Sequence, residues 1–299
     1  MTDTTTAIRT LQQNKGRVSE IADVFARYGF ASWVAAGVPE AIRGLTSRLA
    51  EPELLDMSEG ERVRGICVEL GTTFIKIAQI LSTRRDMVGD EIADALATLQ
   101  ANVPADPPDT VVETITQALG APPSELFDEF DDVPLGSASI AQVHAARLKD
   151  GSEVVLKVQH AGIAERITAD LDILEAVAEL LQANDPAMAI YRPVEVMGQL
   201  RRSLLAEINF VLEAAHLAQF RANFSAEPDV VIPQPHPELS SERVLTMSRL
   251  DGSALSDVIT SLGRQQANEF VRRGAQIYIE MIFRDGLFHA DPHPGRHAQ

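Results

Sequence analysis

The strongest constraint on the fold lies in the middle of the chain, where apolar residues stop recurring at helical spacing and begin to alternate. Ser139–Leu148 and Glu153–Gln159 both alternate, and Lys149-Asp150-Gly151-Ser152 stands between them. Asp-Gly flanked by alternating segments predicts a tight β-hairpin. Helical patterns surround it. Ile8, Leu11, Val18, Ile21, Val24 and Phe25 predict helices within residues 1–60; further helices are predicted at 61–80, 90–100, 110–119, 163–182, 193–220 and 265–284. Asp109 is expected to cap the 110–119 helix, with Gly120 just past its end. Val230–Pro233 and Arg243–Met247 read as two short strands. A hairpin, helices, two strands and more helices make an α+β layout, and no internal repeat is visible. The proline cluster Val103–Pro108 is a linker signal.

Composition removes several function classes. The 299 residues carry 26 Lys and Arg against 43 Asp and Glu, a net charge of −17. Broad binding to a nucleic-acid backbone needs a basic face and is not expected. Arg43 with Arg48, and Arg84-Arg85, are the clearest local basic pairs. The single Cys67 excludes an intrachain disulfide and a Cys-rich metal site, and its apolar setting reads as core packing. No secretory signal and no apolar run of ~18 residues is seen. The expectation is a cytoplasmic chain, peripheral at a membrane at most. The aromatic stretch Val24–Val38 reads as internal packing, with docking on a membrane or a partner helix as the alternative.

Three places could carry chemistry. Pro134–Ser139 is a turn of small residues entering the hairpin, so its backbone could approach a phosphate closely; an ordinary turn has the same composition. Lys157 shares one strand face with Val155 and Gln159, in an apolar setting where a cation needs a carboxylate partner. Glu207 and Glu213 are available on the 193–220 helix. A solvated edge lysine is the plainer reading. The third place is His289-Ala290-Asp291-Pro292-His293-Pro294-Gly295. His289, Asp291 and His293, with His297 behind them, could ligate Zn²⁺ or Fe²⁺. Pro292 and Pro294 equally suit a structural turn. In a kinase-like reading Asp291 orients the acceptor group.

Taken together these segments resemble the UbiB/AarF family of atypical protein-kinase-like proteins, over about Glu61 to Gly295. Lys76-Ile77-Ala78-Gln79 resembles the family's K-x-G-Q signature, and Pro134–His144 its alanine-rich loop. Val154–Lys157 resembles the strand that carries the phosphate lysine. Glu207-Ile208-Asn209, with Glu213 after it, resembles the E-x-D segment and the helix glutamate, and Asp285–Gly295 the catalytic loop. The resemblance implies a protein-kinase-like N-lobe with an N-terminal helical extension and an incomplete helical C-lobe. The implied divisions are residues 1–108 for the extension, 109–250 for the N-lobe and 251–299 for the start of the C-lobe.

The resemblance also implies roles. Gly136, Ser137, Ala138 and Ser139 would line ATP with Lys157 and Glu213, Lys157 would contact the phosphates and pair with Glu213, and Asp291 and Lys157 would be catalytic. Lys76, Gln79 and Glu207 would be regulatory, restricting access to the site. The implied partners are the nucleotide and prenyl-lipid or quinone-pathway proteins, in isoprenoid-quinone (ubiquinone) biosynthesis. Four departures stand out. Ala78 replaces the signature glycine and Asn209 the acid of E-x-D. Arg296 occupies the place of the loop asparagine, and the chain ends at Gln299 before any D-F-G segment. ATP is therefore expected, whereas the ligands for the family's Mg²⁺ are incomplete and no metal residue is assigned. A truncated or frameshifted product is expected. Three readings follow: an ATP-dependent atypical kinase or ATPase, a non-catalytic pseudokinase that binds nucleotide or lipid as a partner protein, and, with least support, a metallohydrolase using His289, Asp291 and His293.

Overall fold

In the computed structural model, residues 4–31, 50–99, 103–253, 258 and 262–288 are described. Their principal helices are α1 (Thr4–Gln13), α2 (Lys15–Arg27), α3 (Glu59–Leu70), α4 (Thr72–Ser82), α5 (Asp90–Ala97), α6 (Pro108–Leu119), α7 (Ile163–Asn184), α8 (Pro193–Glu207), α9 (Phe210–Asn223) and α10 (Arg264–Glu280). The strands are β1 (Glu129–Phe130), β2 (Gly136–Ser137), β3 (Ala141–Arg147), β4 (Glu153–Gln159) and β5 (Val244–Ser248). They form one antiparallel sheet in the order β1-β3-β4-β5, with β2 also on β3. The architecture is α+β, as the sequence implies.

The chain forms two units. One comprises Met1–Val103, Ala138–Ile140 and Gly162–Ile208; the other comprises Pro104–Ser137, Ala141–Ala161 and Asn209–Gln299.

In the helical unit, Val24, Phe30, Ile66, Cys67, Leu70, Phe74, Ala78 and Leu96 make one core, and Ala7, Leu11, Val18, Ile173, Ala176 and Leu180 another. Each large apolar side chain so buried contributes about 1.5–3 kcal/mol. Val24 and Phe30 thus pack internally, and Arg62 lies over the Phe30 ring at 4.9 Å. Trp33 and the rest of that stretch, with Arg43 and Arg48, lie outside the described residues. Burial pushes the Cys67 thiol up to about 12, so it is core packing rather than a nucleophile.

In the sheet unit, Val154, Leu156 and Val158 point from β4 onto Val111 and Ile115 of α6. The hairpin register runs from Ala141 opposite Gln159 to Arg147 opposite Glu153. Its turn closes through Leu148 and Ser152, with Gly151 at φ 89°, a conformation strained for any residue with a Cβ.

Several predicted elements differ. The 61–80 helix divides at Gly71, whose φ of 88° ends α3 and starts α4. The 110–119 helix begins at Pro108, with Pro107 in the capping place and Asp109 inside the first turn. The 265–284 helix is regular only to Glu280 and then opens into a π turn, Met281–Asp285. Val230–Pro233 is not a strand. Pro233 and Pro235 lack the N–H a ladder needs, and only an isolated bridge, Pro235 to Met247, reaches β5.

Candidate functional site

Lys157 sits on β4, inside the sheet, opposite Val143 of β3 and Leu245 of β5. Its ammonium donates to both carboxylate oxygens of Glu213, at 2.9 and 2.8 Å, and lies 4.7 Å from the centre of the Phe210 ring. Both partners come from α9, and Asn209 explains why. The 193–220 segment, predicted as one helix, ends at Glu207 and restarts at Phe210. Asn209 is extended, and its side-chain oxygen accepts from the N–H groups of Val211 (3.0 Å) and Leu212 (3.4 Å). Asparagine competes for backbone bonds in this way, so it breaks a helix and caps the next. Replacing the acid of E-x-D thus retains a capping oxygen. We expect Asn209→Ala to cost about 1 kcal/mol and Asn209→Asp to be tolerated, read from urea unfolding midpoints.

Of the two glutamates open to Lys157 by sequence, the structure brings it Glu213. Glu207 instead pairs with Lys76 of α4, within the helical unit. A carboxylate on the last residue of a helix faces the negative end of its dipole, and the Lys76 ammonium offsets that. Ala78 is fully buried in the first helical core, so its methyl is accommodated by packing; Gln79 is partly buried.

The small-residue turn divides. Gly136 and Ser137 form β2 and are half-buried. Gly136 pairs with Val143, which pairs with Lys157, so turn and lysine share one row across the sheet, two strand spacings or ~10 Å apart. Ala138 is exposed, while Ser139 is buried and its carbonyl accepts from the Thr72 hydroxyl at 3.0 Å. Asp291, His289, His293, Arg296 and His297 lie outside the described residues. Among the described residues no three His, Cys, Asp or Glu side chains could hold a metal ion together. No described helix is long and apolar enough to cross a membrane.

One feature escaped the sequence reading. Gln142 and His144 lie on the core face of β3, in the row of Leu156 and Val158, and both are buried. The His144 ring stacks on Phe130 at 5.4 Å; its Nδ1 lies 2.9 Å from the Asp131 carbonyl and its Nε2 2.8 Å from the Gln142 amide nitrogen. The available signal was a pair of polar residues on the apolar side of an alternating strand.

Burial holds the His144 imidazole below its ordinary value, against the opposing pull of the Asp131 carbonyl and the Asp131 and Asp132 carboxylates. The unfolded chain takes up a proton near pH 6.5, and the folded chain resists it. This contribution to stability is therefore complete above about pH 6.5 and is lost as pH falls through the folded value, by up to about 1.4 kcal/mol per unit. Urea midpoints measured from pH 7.5 to 5 should fall more steeply for the wild type than for His144→Gln.

The ABC1 atypical kinase-like domain matches residues 98–297. The chain is 40% identical over 268 residues to "Probable protein kinase UbiB" of Aeromonas salmonicida (strain A449), covering 86% of this chain and 49% of that protein. It is 40% identical over 244 residues to the protein of the same name from Pseudomonas aeruginosa (strain LESB58), covering 81% and 45%. Among solved structures it is similar to the complex of Rv3197 with erythromycin from Mycobacterium tuberculosis. That likeness has a TM-score of 0.57 at 27% identity, over 75% of this chain and 56% of the other. The chain spans about half the length of the curated relatives it matches.

Proposed function

Because this chain belongs to the ABC1 atypical kinase-like family and is a UbiB/AarF relative, we propose that its sheet unit binds ATP around Lys157 and supports phosphoryl transfer or ATP hydrolysis. The observation that carries this reading is the Lys157–Glu213 pair, set in the sheet and in one cross-strand row with Gly136. An ammonium has three N–H donors; two serve Glu213, and the third can be given to a phosphate oxygen. Glu213 and Phe210 hold the lysine in place before the nucleotide arrives, so less ordering accompanies binding. A spare ammonium donor in one row with a turn of small residues supports a phosphate-bearing nucleotide here. The family's use of ATP implies Mg²⁺ as well; among the described residues no cluster of His, Cys, Asp or Glu is placed to hold it.

Family resemblance supports the finer roles: Asp291 orienting the acceptor, Lys76, Gln79 and Glu207 controlling access, and service to isoprenoid-quinone (ubiquinone) biosynthesis with prenyl-lipid or quinone-pathway partners. Thermal unfolding with and without ATP and Mg²⁺, beside a phosphate-release assay, tests the reading. ATP at a hundred times its Kd should stabilise the fold by about 2.7 kcal/mol, seen as a rise of several degrees in Tm. Release of phosphate that is abolished in Asp291→Asn supports turnover, and binding without release supports the pseudokinase. An unchanged Tm at millimolar ATP would overturn nucleotide binding itself.

A further inference from the structure

Two polar side chains on the core face of β3 call for an account. Gln142 is 1% exposed and His144 0%. Burying an amide or an imidazole costs about 1–3 kcal/mol unless its bonds are made, a cost that an apolar side chain of similar size would not carry. The bonds they do make lead outward, to two loop segments.

Their direction is fixed by elimination. The Asp131 carbonyl can only accept, so His144 donates to it through Nδ1–H at 2.9 Å. Nε2 of a neutral ring then accepts, so Gln142 must present its NH₂ group to it at 2.8 Å. That turns the Gln142 carbonyl oxygen toward the Asp106 N–H, which donates to it at 2.7 Å. The Asp106 carboxylate in turn accepts from the Ala161 N–H at 3.0 Å and lies 3.3 Å from Nδ1 of His160, just past β4.

The segment so anchored is the approach to β2. Asp131 N–H donates to the Ala145 carbonyl at 3.0 Å and Leu135 N–H to the Val143 carbonyl at 2.7 Å. Gly136 and Ser137 then pair with Val143 and Gln142. The stretch 131–137 is thus tied to β3 through its backbone and through one side chain, His144.

We infer that His144, itself oriented by Gln142, is a positioning residue that holds the 131–137 segment, and with it the Gly136–Ser137 backbone, in register with Lys157 for a nucleotide's phosphates. This rests on the nucleotide reading above, but the bracing itself can be measured without nucleotide.

The experiment combines amide hydrogen exchange with ATP titration of the whole chain, in wild type, His144→Ala, His144→Gln and His144→Asn. An asparagine amide can stand where Nδ1 stood and keep the bond to Asp131; a glutamine amide reaches toward Nε2 instead. In Ala and Gln variants the amides of 131–137 should exchange at least tenfold faster while the β3–β4 ladder keeps its protection. ATP should bind roughly tenfold more weakly, one hydrogen bond's worth. Asn should recover most of both effects. Should the Ala variant fail to fold, the Gln and Asn pair makes the same comparison. Unchanged exchange at 131–137, loss spread evenly over the sheet, or no difference between Asn and Gln overturns the inference. If wild type binds no ATP, the nucleotide reading fails, and the exchange result alone decides whether His144 braces the segment.

Discussion

Lys157→Met should weaken ATP binding by roughly tenfold to hundredfold while leaving the sheet folded. The magnitude follows from removing one charge-assisted hydrogen bond to phosphate, worth about 1.5–3 kcal/mol. Folding should survive because the lysine is on the face opposite the Val154, Leu156 and Val158 core, so its loss opens no cavity there. Methionine keeps most of the apolar stem. Glu213→Gln tests the other half of the pair. An amide still accepts one bond from Lys157 but no longer balances its charge, so binding should weaken less than in Lys157→Met. Glu213→Ala should weaken it more than Gln does, because the ammonium loses both its oxygens. Isothermal titration of the three variants, with circular dichroism as the folding control, gives the order. Wild-type affinity in Lys157→Met would remove this lysine from the site.

How much of this was legible beforehand differs from residue to residue. The hairpin was readable because its information is local: Asp150-Gly151 sets the turn, and the alternation beside it sets the face. Its strand was read two residues too early, at Ser139. Ser139 and Ile140 belong with the helical unit, where Thr72 bonds the Ser139 carbonyl, a contact 67 positions away in sequence. Family resemblance implies Glu213 as the partner of Lys157, but the residues alone, read as one continuous helix, left Glu207 and Glu213 equally open. The choice was decided by Asn209, a cap whose apolar neighbours masked it in a periodicity count. Gln142 and His144 were invisible for a different reason. A polar residue on an apolar face is ambiguous until its partners are known, and Asp106 and Asp131 lie 36 and 13 positions away. The false strand at Val230–Pro233 arose from β-branched composition, which its prolines overrule.

The largest stability effect is expected at a place with no role in nucleotide binding, the Arg17–Asp170 pair. Asp170 of α7 is fully buried and accepts three bonds: Nε of Arg17 at 2.7 Å, Nη2 of Arg17 at 3.0 Å and the Thr73 hydroxyl at 2.6 Å. Nη2 also donates to the Leu70 carbonyl at 2.8 Å, one of the carbonyls left unpaired where α3 ends. Arg17 from α2 therefore joins α3 and α7, and Thr73 brings in α4. Removing Arg17 leaves the Asp170 charge buried without its partner, which costs about 3–5 kcal/mol, whereas Arg17 without Asp170 still pairs with Glu20 at 2.7 Å. A domain's whole stability is only about 5–15 kcal/mol, so Arg17→Met should bring the helical unit close to unfolding. Asp170→Asn should cost less, because it removes the charge yet keeps an acceptor. Thr73→Val should cost least, about 1–3 kcal/mol for one bond to a charged group. Each single change leaves a charge that the other half of the pair had balanced, so Arg17→Met combined with Asp170→Leu should cost clearly less than the two single changes added together. Urea unfolding followed by hydrogen exchange at α2, α4 and α7 measures each cost within the helical unit. Strict additivity, or an Arg17→Met protein within about 1 kcal/mol of wild type, would show that the pair is screened as a surface bridge is.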